Sequence, residues 1–276
     1  MIYLKNLINN KLYGGTISFN KIPSKGAKMK IKSLALMFLG VSAYAHFGMV
    51  VPSNSTVDDE KEANLQITYK FSHPFEGDMM NLALPNEAGV FVNGKKEAIK
   101  GLKELKEDKF SYFTASYDVK EPGIYQFYMD PKPYFEPAED KFIRHITKTV
   151  VDAYGYGEGW DKPAGLKAEI VPLTRPYGLY KGNLFSGVVY YKGKPAKNVT
   201  VEVEYYNTKG LKAPSDAHVT QVVNTNEQGE FSFAMPLEGW WGFAALIDDD
   251  QKIKHEGKEY PVELGAVIWV QTKEYK

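Results

Sequence analysis

Ala63-Asn64-Leu65-Gln66-Ile67-Thr68-Tyr69-Lys70-Phe71 alternates apolar and polar residues without a break. A period of two sends successive side chains to opposite faces of an extended chain, so this segment predicts a strand buried on one side. Working outward, Tyr112 to Val119 repeats the pattern. A Pro122-Gly123 turn then leads into Ile124-Tyr125-Gln126-Phe127-Tyr128-Met129, and the two runs together predict a hairpin. Phe142 to Val151 is β-branched and strand-like. Only Ala98 to Asp108, rich in lysine, predicts a short surface helix. Pro/Gly-rich punctuation at 155–165 and 172–182 precedes a second alternating region. It runs through Leu184 to Tyr191, Val199 to Tyr206, Glu230 to Phe233, Trp240 to Ile247 and Leu264 to Val270, with turns at 193–195 and 226–229. Short strands at this spacing, without long helices, predict an all-β protein of two immunoglobulin-like β-sandwich domains, at 46–175 and 180–276. Aromatics at 14%, led by 19 Tyr and 15 Phe, suit pleated, half-buried surfaces.

The formal net charge of zero hides an asymmetry. Residues 1–45 carry seven lysines and no acid, and the remainder holds 27 basic against 34 acidic groups, a net charge of −7. That bias is the reverse of a nucleic-acid binder's and favours small cations. From Met29 the chain reads MKIKSLALMFLGVSAYA. Lys30 and Lys32 form a basic flank, Leu34 to Val41 an apolar run too short to cross a bilayer, and Ala43-Tyr44-Ala45 a small-x-small cleavage box. The expectation is a signal peptide at 29–45, an upstream extension at 1–28, export to the periplasm and a mature chain beginning at His46 with no stable membrane insertion. With no cysteine in 276 residues, disulfides and thiolate metal sites are excluded.

All five histidines, His46, His73, His145, His218 and His255, follow the predicted cleavage point. A mature chain starting at His46 offers an imidazole and a free α-amine on one residue. Nitrogen donors of this kind suit Ni(II), Co(II) and Cu(II), and an amine pKa near 8 lets the metal displace its proton. His73 ends a strand in Phe71-Ser72-His73-Pro74-Phe75-Glu76-Gly77-Asp78, where Glu76 and Asp78 add oxygen donors and Met79 and Met80 follow. His145 sits mid-strand, with Arg144 and Ile146 facing the other way. The candidate metal ligands are therefore His46, His73, His145 and Glu76. His218 and His255 read as surface residues. Asp248-Asp249-Asp250 lacks the spacing of a calcium loop and reads as a solvated turn. Trp240-Trp241 reads as core. Asn54 and Asn198 head glycosylation-type sequons. No zinc-protease, phosphate-loop or serine-hydrolase motif is present.

Several longer blocks carry a family resemblance: Ala45-His46-Phe47-Gly48-Met49-Val50-Val51-Pro52-Ser53, Phe71-Ser72-His73-Pro74-Phe75-Glu76 and Pro122-Gly123-Ile124-Tyr125-Gln126-Phe127. To these are added Gly165 to Pro176, Gly239 to Leu246 and Glu263 to Val270. Together they resemble a bacterial family of exported β-sandwich proteins, long known as a domain of unknown function. Its members are described as periplasmic components of energy-coupling-factor nickel or cobalt uptake transporters. The resemblance implies a non-enzymatic role, delivery of Ni(II) or Co(II) as cargo to a membrane permease, with His46 and His73 matching the family's opening and HPFE-type motifs. Two alternatives remain open. One is a copper monooxygenase built on an N-terminal histidine; the other is an adhesion or carbohydrate-binding sandwich.

Overall fold

The computed structural model describes residues 46–275. The predicted extension at 1–28 and signal peptide at 29–45 lie outside the described residues. The alternating Ala63–Phe71 run forms the strand Asn64–His73, with Leu65, Ile67, Tyr69 and Phe71 all buried on one face. It lies in a five-stranded sheet between Phe47–Pro52 and Phe110–Asp118, with Lys103–Glu107 at the edge and Asp78–Met79 at its end.

An eleven-stranded sheet forms the spine of the molecule. Its path runs Gln221–Asn224, Thr200–Tyr205, Gly239–Asp248, Val262–Lys273, Lys141–Ala153, Gly123–Asp130, Glu87–Val92 and Lys95–Ala98. The long strand Lys141–Ala153 and the final strand Val262–Lys273 pair in parallel from Phe142↔Val262 to Thr149↔Trp269. One continuous sheet therefore crosses the boundary expected near residue 175, and the described residues lie within one compact unit. Each half of the spine is covered by its own sheet. The five-stranded sheet packs Val50, Leu65, Ile67 and Phe113 against Val90, Tyr125, Phe127 and Val151. A four-stranded sheet, built on Ala168–Pro172, Leu184–Tyr191 and Glu230–Ala234, packs Ile170, Phe185 and Phe231 against Val203, Phe243 and Ile268. The architecture is all-β and sandwich-like. On the opposite side of the spine from this second core, Phe47 and Met49 pack on Ala244, Val267 and Trp269.

Two local expectations are corrected. Lys103–Glu107, expected in a helix, is an edge strand paired with Phe110–Asp118, and the α-helix among the described residues is Asp216–Val219. The charged side chains that suggested a surface helix are those that protect an exposed strand edge, and cross-strand pairing overrides local preference. The runs on either side of Pro122-Gly123 do not pair with each other. Phe110–Asp118 belongs to the five-stranded sheet and Gly123–Asp130 to the spine, so the chain crosses the core there. Tyr117 then meets Phe127 edge-on at 5.2 Å from the facing sheet. Two acids of Asp248-Asp249-Asp250 are engaged by cations: Lys167 reaches Asp249 at 2.6 Å, and Lys192 pairs with Asp250.

Candidate metal centre

Strand register brings the first two candidate histidines together. Phe47 pairs with Ser72 and Gly48 with Phe71, so one step outward along the antiparallel ladder sets His46 opposite His73. Their ring centroids are 4.7 Å apart. His73 also stands across from Asp78 in the short return pairing. The loop beyond it is tied down from the other half of the molecule. The Asn207 backbone N–H donates to the Pro74 carbonyl at 3.1 Å, the Asn207 side-chain amide to the Phe75 carbonyl at 3.0 Å, and the Phe75 N–H to the Glu204 carboxylate at 3.3 Å. Within the loop, the Gly77 N–H closes a turn on the His73 carbonyl at 2.8 Å.

Glu136 supplies the nearest acid, its carboxylate 3.2 Å from His46 Nε2. It ends the short strand Tyr134–Glu136, which folds back on the long strand with Glu136 opposite Lys141. Its sequence position, more than sixty residues from His73, conceals it; the aromatic–acid run before the Pro137–Asp140 turn is the hairpin signal that would have exposed it. Glu76, flagged by its spacing, is exposed, and its charge is felt instead at Glu204.

The electrostatics favour an unprotonated His46. Burial and then the neighbouring His73 push its imidazole below the ordinary value, while Glu136 and Glu139 pull the other way. A neutral ring has a lone pair for a metal. Nearby acids are also partly desolvated. Burial raises Glu202 to about 7, aided by the charges of Glu263 and Glu139 and opposed by Lys141. Burial raises Glu204 to about 8 against the hydrogen bonds from Thr220 and Phe75.

His145 stands apart from this pair. His46 and His145 both pack on Phe71, whose ring is 5.6 Å from that of His46 and 5.9 Å, edge-on, from that of His145. His145 is fully buried, and burial pushes it down to about 3, with His46 and Lys141 adding to the shift. Its Nδ1 accepts the Gly48 N–H at 3.4 Å, and Nε2 has no hydrogen-bond partner. Room for the ring comes from Gly265, where a Cβ would stand 2.4 Å from the imidazole. His218 lies in the short helix, bonded to Ser215 at 2.9 Å, and His255 packs on Phe135 at 5.1 Å.

The side chains thus supply two adjacent imidazoles and one carboxylate on the first of them. Among the described residues, no group of three or more His, Cys, Asp or Glu is arranged to hold a metal ion, so these side chains alone do not complete a shell. Among the same residues no helix is long and apolar enough to cross a membrane.

In three-dimensional comparison the chain is similar to the D0–D1 domain of intimin, at 12% identity over 83% of this chain and 100% of that one, with a TM-score of 0.21. It is similar to the Yersinia pseudotuberculosis adhesin InvE at 11% identity, over 79% of this chain and 58% of that one, with a TM-score of 0.22. The fibronectin(III)-like modules of Clostridium thermocellum CbhA match at 9% identity, over 83% and 98%, with a TM-score of 0.21. No curated protein matches the sequence. The family model described as a domain of unknown function (DUF4198) matches residues 43–249, and the chain belongs to that family.

Proposed function

We propose that this protein, once trimmed to begin at His46, binds Ni(II) or Co(II) in the periplasm and hands the ion to a membrane uptake permease. The observation that carries the reading is the cross-strand adjacency of His46 and His73 at 4.7 Å. A free α-amine on His46 would add a nitrogen beside its own imidazole, the donor that the side chains lack. Three nitrogens and the Glu136 carboxylate suit a borderline divalent ion. The acidic surroundings would draw cations in, and a site at a chain terminus and a strand end leaves the ion exchangeable. No acid–base pair or nucleophile is needed for that role.

The test is calorimetric titration of Ni(II) into the trimmed protein and into a version with one extra residue before His46. His46→Ala and His73→Ala should each weaken binding at least about tenfold, the scale seen when an interaction supporting a metal site is lost. The one-residue extension should hurt comparably. Equal binding by the extended and trimmed proteins would remove the amine from the site. With the amine engaged, affinity should climb between pH 6 and about 8, because a proton must leave a group of that pKa; without it the curve flattens once the imidazoles are neutral. The same pair also suits Cu(II), which gives the oxidative alternative its support. Oxygen-dependent hydrogen peroxide release by the copper-loaded protein would favour that chemistry over delivery.

A further inference from the structure

Successive side chains of a strand alternate between its faces, and this parity sorts the end of the spine. Trp241 and Phe243 point into the second core, so Trp240 points the other way. Ile268 and Val270 share that core, which puts Trp269, Gln271 and Lys273 on the side of Trp240. The short strand Leu179–Tyr180 pairs in parallel with the end of the final strand, Tyr180 beside Lys273. Leu179 packs on the second core, so Tyr180 faces out with Trp240. Thr272 has Gly239 on one side and Leu179 on the other. Three adjacent strands thus carry Trp240, Gln271 and Tyr180 on one face. Trp240 pairs directly with Gln271, and the two aromatic residues stand two strand spacings, roughly 10 Å, apart.

A groove of about 1000 Å³ runs over this face. Its other wall is the outer side of the five-stranded sheet, where Gln66 and Thr68 alternate with the buried Leu65 and Ile67. Of Trp240 and Trp241, both expected in the core, only Trp241 is buried. Hydrogen-bond donors are built into the surface. Gln271 Oε1 accepts the Ser55 N–H at 3.1 Å and the Ser55 hydroxyl at 2.8 Å. A backbone N–H can only donate, so the amide oxygen must be the atom that meets it. Gln271 Nε2 is thereby oriented away from Ser55. Among the described residues this nitrogen, the Trp240 indole N–H and the Thr68 hydroxyl have no hydrogen-bond partner, yet none of them is a buried unpaired atom, so all three are open to solvent. The charged residues of the lining are already engaged. Lys209 meets Glu238 at 3.3 Å, Glu274 pairs with Lys181, and Lys273 donates to the Asn54 side-chain oxygen at 3.1 Å.

The face therefore suits a neutral ligand that is apolar on its flat sides and hydroxylated at its rim. An acyl chain would leave the donors without acceptors, and an aromatic anion would find no free cation. A β-1,4-linked chain of pyranose rings meets both demands, because its equatorial hydroxyls leave C–H surfaces above and below each ring. Aromatic side chains with a polar handle suit such half-wet contacts. We propose that this groove binds a neutral β-1,4-linked oligosaccharide, with one ring stacked on Trp240, another on Tyr180, and a hydroxyl between them accepting a hydrogen bond from Gln271 Nε2–H. Tyr275, exposed and stacked on Tyr180 at 3.7 Å, extends the aromatic surface at that end. The site does not depend on the metal reading: it uses no histidine and not Glu136, and failure to bind Ni(II) would leave it untouched.

The experiment is titration of the ¹⁵N-labelled full chain with cellopentaose, followed by calorimetry and by the Trp240 indole N–H resonance, with maltopentaose in parallel. Cellopentaose should bind saturably and shift that resonance. Maltopentaose, whose axial linkages curl the chain away from a flat surface, should bind at least about tenfold more weakly. Tyr180→Ala, at an exposed position that should leave folding intact, should weaken cellopentaose binding roughly tenfold, the scale for truncating an aromatic anchor. Gln271→Glu keeps an oxygen for Ser55 but removes the free donor, and should weaken binding several-fold. Absence of saturable cellopentaose binding would overturn the proposal, as would equal binding of maltopentaose or unchanged binding by Tyr180→Ala. A dimer of the chain that Tyr180→Ala dissociates and cellopentaose does not would assign the face to a second copy and overturn it too.

Discussion

His46 and His145 both pack against the Phe71 ring, and burial lowers both imidazoles. Their surroundings differ. His46 meets a carboxylate and is partly open to solvent, whereas His145 is enclosed and has only a backbone N–H as partner. The second arrangement has a measurable consequence. The ordinary value for an unfolded histidine is 6.5 and the folded one about 3. Between these the unfolded chain binds the extra proton, so the His145 contribution is complete above pH 6.5 and is lost as pH falls toward 3. The loss should approach about 1.4 kcal/mol per pH unit. Glu202 and Glu204, raised to about 7 and about 8, act in the opposite sense, because their protonated forms are favoured in the fold and their contribution declines as pH rises. The difference in denaturation free energy between wild type and His145→Phe isolates the histidine. That difference should shift against the wild type on going from pH 6.5 to 4, and a constant gap would contradict the assignment.

At the scale of elements, the geometry of the candidate centre is set by pairing and not by proximity in sequence. The Phe47–Pro52 and Asn64–His73 ladder aligns the two imidazoles, and a slip of one residue would send them to opposite faces. The loop after His73 is held by Asn207, which follows Thr200–Tyr205 and bonds both Pro74 and Phe75. Asn207→Ala should therefore weaken Ni(II) binding several-fold without removing a ligand, while a side-chain hydrogen bond of this type contributes only about 1 kcal/mol to stability. Calorimetry paired with thermal unfolding checks both halves of the prediction; unchanged affinity would mean that the loop keeps His73 in place unaided. Close packing imposes a second constraint. Gly265 leaves room for the His145 ring, and Gly265→Ala should cost about 1–3 kcal/mol by overpacking, read as a lowered denaturation midpoint.

Across the whole molecule, the parallel pairing of Lys141–Ala153 with Val262–Lys273 makes the chain's two halves share one sheet. A fully buried ion pair spans its layers: Lys148, on the spine, reaches Glu169 on the covering sheet at 2.8 Å. Glu169 also accepts the N–H groups of Ala164, Gly165 and Leu166. Burial pulls the Lys148 ammonium below its ordinary value, and Glu169 only partly opposes the shift. Residues 46–276 should accordingly unfold in a single calorimetric transition, and Lys148→Ala, which strands a buried carboxylate, should lower that transition by about 3–5 kcal/mol. Two resolved transitions would show that the shared strands do not couple the halves.

The all-β class was legible in the sequence because hydrophobic patterning is a local property: Asn64 to Phe71 alternates and is buried on one face, whereas Leu264 to Val270 is apolar throughout and buried on both. His46 and His73 stood out for the same reason, as donors with visible local chemistry. Pairing is non-local, and there the local signal failed. The charged edge strand Lys103–Glu107 resembled a helix, the Pro122-Gly123 corner resembled a hairpin, and Glu136 was hidden from His46 by ninety residues of chain. Only the tertiary structure could decide which strands meet, because hydrogen-bond partners in a sheet are chosen by the competition of all exposed edges and apolar faces at once. That same long-range choice enclosed His145, gave its Nδ1 to Gly48 and left its Nε2 without a hydrogen-bond partner.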